Sequence, residues 1–212
     1  MRITVTTAGS RGDVQPYIAL GLGLKEAGHE VRLATYAPFE GFVRGHGLDY
    51  RPVTGDPGGI VAELLASGLN PIKGARTFRR FLGSTLEPNL AEYEEACRDT
   101  DAVVYSPVGF LGQYVAEKME IPAVGAAVQP LFGRTRRFPS SLLGRPPGWL
   151  PGKLLEAGPL GGLYNYLTYL VAGQVFWQAM RPVAGEARKR LGLSPLPFFG
   201  PFADVNPPPV LY

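Results

Sequence analysis

Apolar and polar positions alternate over residues 2–7, where Ile3 and Val5 stand between polar neighbours, and this predicts a short strand. After the glycine-bearing loop 8–15, Tyr17, Leu20, Leu24 and Ala27 recur at helical spacing. A helix is therefore predicted over 16–27, ended by Gly28. Strands follow at 30–35 and 48–53, with a short helix at 39–46 between them, stopped by Gly47. Strand, helix, strand, helix, strand within some fifty residues is the rhythm of a parallel sheet wrapped by helices. Further along, 60–67 and 74–98 read as helical, with Pro88 dividing or kinking the second. Residues 101–106 (DAVVYS) form a buried-type strand, 108–119 a helix and 122–127 a fifth strand. Right-handed crossovers then give an α/β fold, a Rossmann-like parallel sheet in the order 3-2-1-4-5, with room for extra strands and with helices on both faces.

Periodicity is lost over 129–159, where Pro and Gly recur and Arg134, Arg136, Arg137, Arg145 and Lys153 face the single acid Glu156. A long aromatic helix is predicted over 160–191, carrying Tyr164, Tyr166, Tyr169, Phe176 and Trp177, with Pro182 as a candidate kink. Residues 157–180 hold no charged side chain, enough in length to cross a bilayer, yet glycines, Pro159, Asn165, Gln174 and Gln178 interrupt them. A buried or membrane-facing amphipathic helix fits better than a span. The end, Asn206 onward with three successive prolines, reads as a stiff linker, so the chain is expected to be one half of something longer.

Composition narrows the function. The 212 residues are 45% hydrophobic and 18% charged, which suits a packed α/β domain. One cysteine, Cys97, excludes a disulfide scaffold or thiolate cluster, and two histidines, His29 and His46, leave little for a zinc site; no metal is expected. A net charge of +3 does not argue for nucleic acid. The opening apolar stretch is too short for a signal peptide, so a cytoplasmic protein is expected. Arginine exceeds lysine 16 to 5, read here as a GC-rich, bacterial source.

The main candidate for chemistry is Gly9-Ser10-Arg11-Gly12-Asp13, between the first strand and the first helix. In open α/β sheets ligands bind outside the carboxyl ends of strands. A helix N-terminus presents free N–H groups to anions. A carboxylate beside a ligand hydroxyl can take its proton. On spacing alone Asp13 reads first as a helix cap, the plainer role. Gly21 and Gly23 resemble the start of a dinucleotide fingerprint but fall inside the helix, which speaks against a nicotinamide-dependent oxidoreductase. Ser106-Pro107 and Gln129-Pro130 end the fourth and fifth strands on the same sheet edge and are pocket candidates. The basic loop and aromatic helix suit a hydrophobic acceptor or an anionic membrane, or simply a solvated loop on a core helix. His29 and His46 follow helices and read as exposed and structural, and Cys97 as a small side chain near a helix end.

TTAGSRGDVQPYIALGLGLKEAGHEVRLAT closely resembles the N-terminal half of GT-B glycosyltransferases, above all sterol glucosyltransferases and glycopeptide-antibiotic glycosyltransferases. FVRGHGLDYRPVTGDP, the segment from Phe132 to Pro139 and the stretch from Tyr164 to Leu193 agree with it, although Gly133 departs from the usual Thr. The resemblance implies one half of a GT-B fold, an acceptor-binding domain over 1–205, with an interdomain linker starting at 206–212. A separate C-terminal donor-binding domain would hold the nucleotide-sugar, expected to be a UDP-sugar; its His/Gly-rich motif is absent from these residues. Asp13 is then the general base, and Ser10, Arg11 and Gly12 shape the loop near the donor phosphates. Ser106, Pro107, Gln129, Pro130, Phe132, Arg134, Phe138, Tyr169 and Trp177 are acceptor-site candidates. Relatives that use a histidine in this loop differ from this chain, where Asp13 would act alone. The implied partners are a sterol, lipid or aglycone acceptor and the donor domain, with peripheral membrane contact through the Arg-rich loop 134–153. The isolated chain would be inactive and prone to self-association. The alternative is a stand-alone lipid- or aglycone-binding module that docks a separate donor subunit.

Overall fold

The structure, a computed structural model, describes residues 1–59, 62, 71–128, 134–140, 159–200 and 210–211. The chain divides into two compact units. The first holds Met1–Val128, Pro182–Pro195 and Pro208–Tyr212, and the second holds Gln129–Arg181 and Leu196–Pro207.

In the first unit, β1 (Arg2–Thr6) leads to α1 (Arg11–Glu26), β2 (Glu30–Tyr36), α2 (Glu40–Gly45) and β3 (Asp49–Val53). Helices α3 (Pro71–Ser84) and α4 (Leu86–Ala96) precede β4 (Ala102–Tyr105), α5 (Leu111–Lys118) and β5 (Ala123–Ala126). Helix α6 (Pro159–Leu191) ends in this unit, and Val210–Leu211 forms β6. All pairings are parallel, in the order β3-β2-β1-β4-β5-β6. The expected 3-2-1-4-5 order is therefore present. Strand β6 pairs with Gly125 and Ala126 of β5 as an extra strand beyond those five.

Each strand face meets a different layer. Ile3, Val5, Val31, Leu33 and Val104 pack with Val14, Tyr17 and Ile18 of α1 and Val43 of α2. On the other face of β1, Thr4 and Thr6 are fully buried, and their hydroxyls are satisfied. Thr4 donates to the Ala96 carbonyl at 3.1 Å, and Thr6 to the Gly109 carbonyl at 3.1 Å. Burial on both faces is what a parallel sheet requires. Arg32 closes the end of α4, its Nη1 donating to the carbonyls of Ala96 and Arg98 at 2.7 and 3.1 Å.

Three element boundaries differ from the sequence reading. Helix α1 starts at Arg11 rather than at Pro16, because Ser10 is its N-cap; Pro16 sits in the second turn and forgoes one helical bond. The division of 74–98 falls at Thr85, the N-cap of α4, while Pro88 lies in the first turn of α4, where its missing N–H costs nothing. Helix α5 begins at Leu111 rather than 108, since the Ser106 hydroxyl holds the Gly109 N–H at 2.8 Å in a preceding turn. The helix expected over 60–67 lies outside the described residues, apart from residue 62.

Candidate functional site

Chain order reverses between β1 and β4. Strand β1 continues through α1 toward β2, and β4 continues through α5 toward β5 on the opposite side. Such a switch point opens a crevice at the carboxyl ends of the two strands. The loop 7–13 and the turn 106–109 stand there.

The first loop is fixed by its own hydrogen bonds. Thr7 N–H donates to the Ala34 carbonyl at 3.1 Å, and its hydroxyl to the Asp13 carbonyl at 2.7 Å. Gly9 takes φ +110°, a conformation that side-chain-bearing residues rarely adopt. A Cβ at Gly9 would lie 2.5 Å from Asp13 Oδ2. Ser10 caps α1 in an extended conformation, and both its backbone N–H and its hydroxyl donate to Asp13 Oδ2 at 2.8 Å. Asp13 N–H returns a bond to the Ser10 carbonyl at 2.9 Å. The capping role is thus present. It occupies one carboxylate oxygen, and among the described residues no donor reaches Oδ1. Gly12 is exposed beside it. Arg11 lies over the Phe42 ring at 4.9 Å and donates to Gln15 Oε1 at 3.2 Å, so its guanidinium is drawn toward α2.

Ser106 follows β4 at the same edge of the sheet. It is buried, its N–H donates to the Thr6 carbonyl at 2.9 Å, and its hydroxyl accepts from Gly109 N–H. Gly109 is pressed onto the end of β1, where a Cβ would come within 2.3 Å of the Thr6 carbonyl oxygen. Pro107 is half-buried.

Two tyrosines that the sequence reading assigned no site role belong to this region. Tyr17 is buried and donates to the Ala126 carbonyl at 2.6 Å, tying α1 to the end of β5. Burial and the nearby Asp13 charge push its phenol up to about 12, while the Ser106 hydroxyl works the other way. Tyr36, at the end of β2, packs edge-on against Phe81 and is pushed up to about 12 by burial and by Asp13. Signals for both existed. Tyr17 stands four residues after Asp13 on the same helix face, and Tyr36 ends a strand at the ligand edge.

The second unit holds other candidates. Arg134 Nη1 approaches the Tyr166 hydroxyl at 3.5 Å. Phe138 is exposed and meets Tyr169 edge-on, with ring centres 6.5 Å apart. Tyr169 is buried, which raises its phenol pKa. Trp177 is buried, and its indole N–H donates to the Phe198 carbonyl at 2.8 Å. Gln129, Pro130 and Phe132 lie outside the described residues, as does most of the 134–153 loop beyond Ser140.

His46 is exposed, with Nδ1 2.8 Å from the Phe42 carbonyl oxygen. His29 is half-buried rather than exposed, and its Nδ1 is buried without a partner among the described residues. Its position where α1 turns into β2 explains the burial, since the chain folds back onto the sheet there. Cys97 is buried, and burial pushes its thiol up to about 12. Among the described residues, no three His, Cys, Asp or Glu side chains are grouped to hold a metal ion, and no helix is long and apolar enough to cross a membrane.

Residues 3–135 match the glycosyltransferase family 28 N-terminal domain. The sterol 3-beta-glucosyltransferase of Aspergillus oryzae is 38% identical over 201 residues, covering 91% of this chain and 13% of that protein. The sterol 3-beta-glucosyltransferase of Yarrowia lipolytica is 34% identical over 190 residues, covering 90% of this chain and 12% of that one. The chain thus spans only a small part of these relatives' length. They are fungal and lend no support to the bacterial source read from composition. Among solved structures, the Streptomyces sp. SF2575 glycosyltransferase SsfS6 superimposes with a TM-score of 0.55 at 20% identity, over 93% of this chain and 48% of that one. The glycosyltransferase SnogD from Streptomyces nogalater does so with a TM-score of 0.54 at 21% identity, over 93% and 43%. These likenesses show a shared GT-B half, as the sequence resemblance implied. By the match over residues 3–135, the chain belongs to glycosyltransferase family 28 as its N-terminal domain.

Proposed function

We propose that this chain is the acceptor-binding half of an inverting glycosyltransferase. It presents the hydroxyl of a hydrophobic, sterol-like acceptor to a nucleotide-sugar held by a C-terminal donor domain. The observation that carries this reading is the Asp13 carboxylate, anchored through Oδ2 at the switch point, with no donor on Oδ1 among the described residues. In the reaction the acceptor O–H proton passes to Asp13 Oδ1 as the oxygen attacks the anomeric carbon. The bond from that carbon to the phosphate oxygen breaks, and the nucleoside diphosphate leaves. Attack from the face opposite the leaving group inverts the anomeric centre.

The Gly9 turn and the Ser10 pair hold the base in one orientation, so little reorganisation is needed as the proton moves. Ser106, buried at the same sheet edge with its hydroxyl on the Gly109 N–H, holds the 106–109 turn in place. Charge on the leaving diphosphate would be met mainly by the donor domain, with the free N–H groups at the start of α1 as the contribution of this half. The sterol glucosyltransferase relatives support a sterol-like acceptor and a glucose donor. The SsfS6 structure complexed with thymidine diphosphate supports a nucleoside diphosphate as leaving group.

The test is a transfer assay on the complete protein with UDP-glucose and thymidine-diphosphate-glucose against a panel of sterols and polycyclic phenols, read by mass spectrometry. A glycoside formed from at least one pair, with inverted anomeric configuration, is expected. No glycoside, or retention at the anomeric carbon, would overturn the proposal.

A further inference from the structure

The second unit turns an unusual helix face outward. Leu160, Leu163, Leu167, Val171 and Val175 lie at intervals of three and four residues along α6, and each is between 45% and 66% exposed. They form one stripe about 22 Å long at helical rise. From Pro159 to Met180 the helix carries no charged side chain. An outward helix face normally carries charged and polar groups.

The stripe faces out because the opposite face is fastened. Asn165 Nδ2 donates to the Arg136 carbonyl at 3.0 Å. The Thr168 hydroxyl accepts from Ser140 N–H at 2.8 Å and donates to the Asn165 carbonyl at 2.6 Å. Asn165, Thr168, Tyr169, Ala172 and Met180 are all buried. The rotation of the helix is therefore set by polar bonds on its inner side.

At the far end the stripe meets a second apolar feature. Gln178 and Trp177 donate to the Phe198 carbonyl, at 3.0 and 2.8 Å, and Gln174 donates to the Phe199 carbonyl at 2.8 Å. These bonds bind the backbone of the Phe pair to the helix and leave the two rings 56% and 60% exposed. Arg181 lies over the Phe198 ring at 4.6 Å, placing a cation beside the apolar surface.

Charge names the occupant. Residues 129–181 and 196–207 contain six basic and two acidic side chains, whereas the rest of the chain is balanced, with fifteen basic and sixteen acidic. An apolar helix face ending in exposed phenylalanines, within a unit of net positive charge, matches the surface of an anionic bilayer. We infer that the outer face of α6 and the Phe198–Phe199 pair lie in the interfacial layer of an anionic membrane, with Arg181 at headgroup level. The inference does not depend on the transfer reaction.

The test is co-sedimentation of the complete protein with extruded vesicles of phosphatidylcholine alone and of phosphatidylcholine mixed with phosphatidylserine. Binding to the mixed vesicles, weakened by salt, is expected. The double variant Leu167→Glu/Val171→Glu should lower it about tenfold or more, since each change removes apolar contact and adds repulsion. Leu167→Ser/Val171→Ser should lower it less. Both positions are exposed, so thermal melts should match the parent. Binding that ignores both double variants, or no binding to either vesicle, would overturn the inference. So would a shift by these variants of a monomer–dimer equilibrium in place of vesicle binding, which would make the occupant a second copy.

Discussion

Asp13 Oδ2 receives both donors of Ser10, the backbone N–H and the hydroxyl, each at 2.8 Å, and the carboxylate is held by that one oxygen. The capping bonds take this oxygen, and the base role proposed for Asp13 falls to the other. Ser10→Ala removes one of the two bonds and leaves the backbone donor in place. It should cost about 1 kcal/mol of stability, as capping substitutions do, and keep most of the turnover. Denaturant unfolding and a steady-state assay of the complete protein check this. A loss of turnover as large as that of an Asp13 variant would mean that the hydroxyl does more than orient.

Gly9→Ala should be more damaging than Ser10→Ala although it touches no polar group. At φ +110° a side chain is strained by about 1–2 kcal/mol. Its Cβ also enters the space of Asp13 Oδ2. Turnover should fall with the displaced carboxylate while the fold survives. Circular dichroism and kinetics on the same sample separate the two effects.

Tyr17 supplies a pH signature. Its phenol lies near 10.0 when unfolded and is pushed up to about 12 in the folded chain. Above pH 10 the unfolded chain releases a proton that the folded chain keeps. The contribution of Tyr17 is thus complete below pH 10 and is lost as pH rises toward 12. Tyr17→Phe should flatten the alkaline decline of stability relative to the parent, measured by urea unfolding across that range. An unchanged slope would show that Tyr17 ionises alike in both states.

Arg188 secures the end of α6 within the first unit. Its guanidinium pairs with both Glu117 oxygens at 2.6 and 2.7 Å, donates to the Ser194 carbonyl, and lies over the Tyr114 ring at 5.2 Å. Glu117 remains half-exposed, so truncation strands no fully buried charge. Arg188→Ala should cost about 2–3 kcal/mol in thermal or urea unfolding, somewhat below the loss for a wholly buried pair.

The sheet was readable because its strands are short apolar runs separated by turn residues, and right-handed crossovers leave few orders for five of them. Boundaries were less readable where a side chain competes with the backbone. Ser10 caps α1 so that it starts at Arg11, five residues before Pro16, the residue that looks like a start, and Ser106 delays α5 by holding Gly109. Asp13 and Ser106 were visible as loop residues at strand ends. Tyr17 and Tyr36 carried only positional signals, because a tyrosine at an apolar position reads as core until the position of its hydroxyl is known. The sequence left α6 either buried or membrane-facing, and the bonds of Asn165 and Thr168 reveal which side faces out.

The most direct measurement is the steady-state turnover of Asp13→Asn in the complete protein, alongside acceptor binding and the thermal midpoint. Asparagine keeps an oxygen to accept from Ser10 but cannot take the acceptor proton. Turnover should fall by about 10²–10⁴-fold, the usual worth of a general base. Acceptor affinity and the thermal midpoint should stay close to the parent values. A variant that turns over at the parent rate would contradict the assignment of Asp13 as the base.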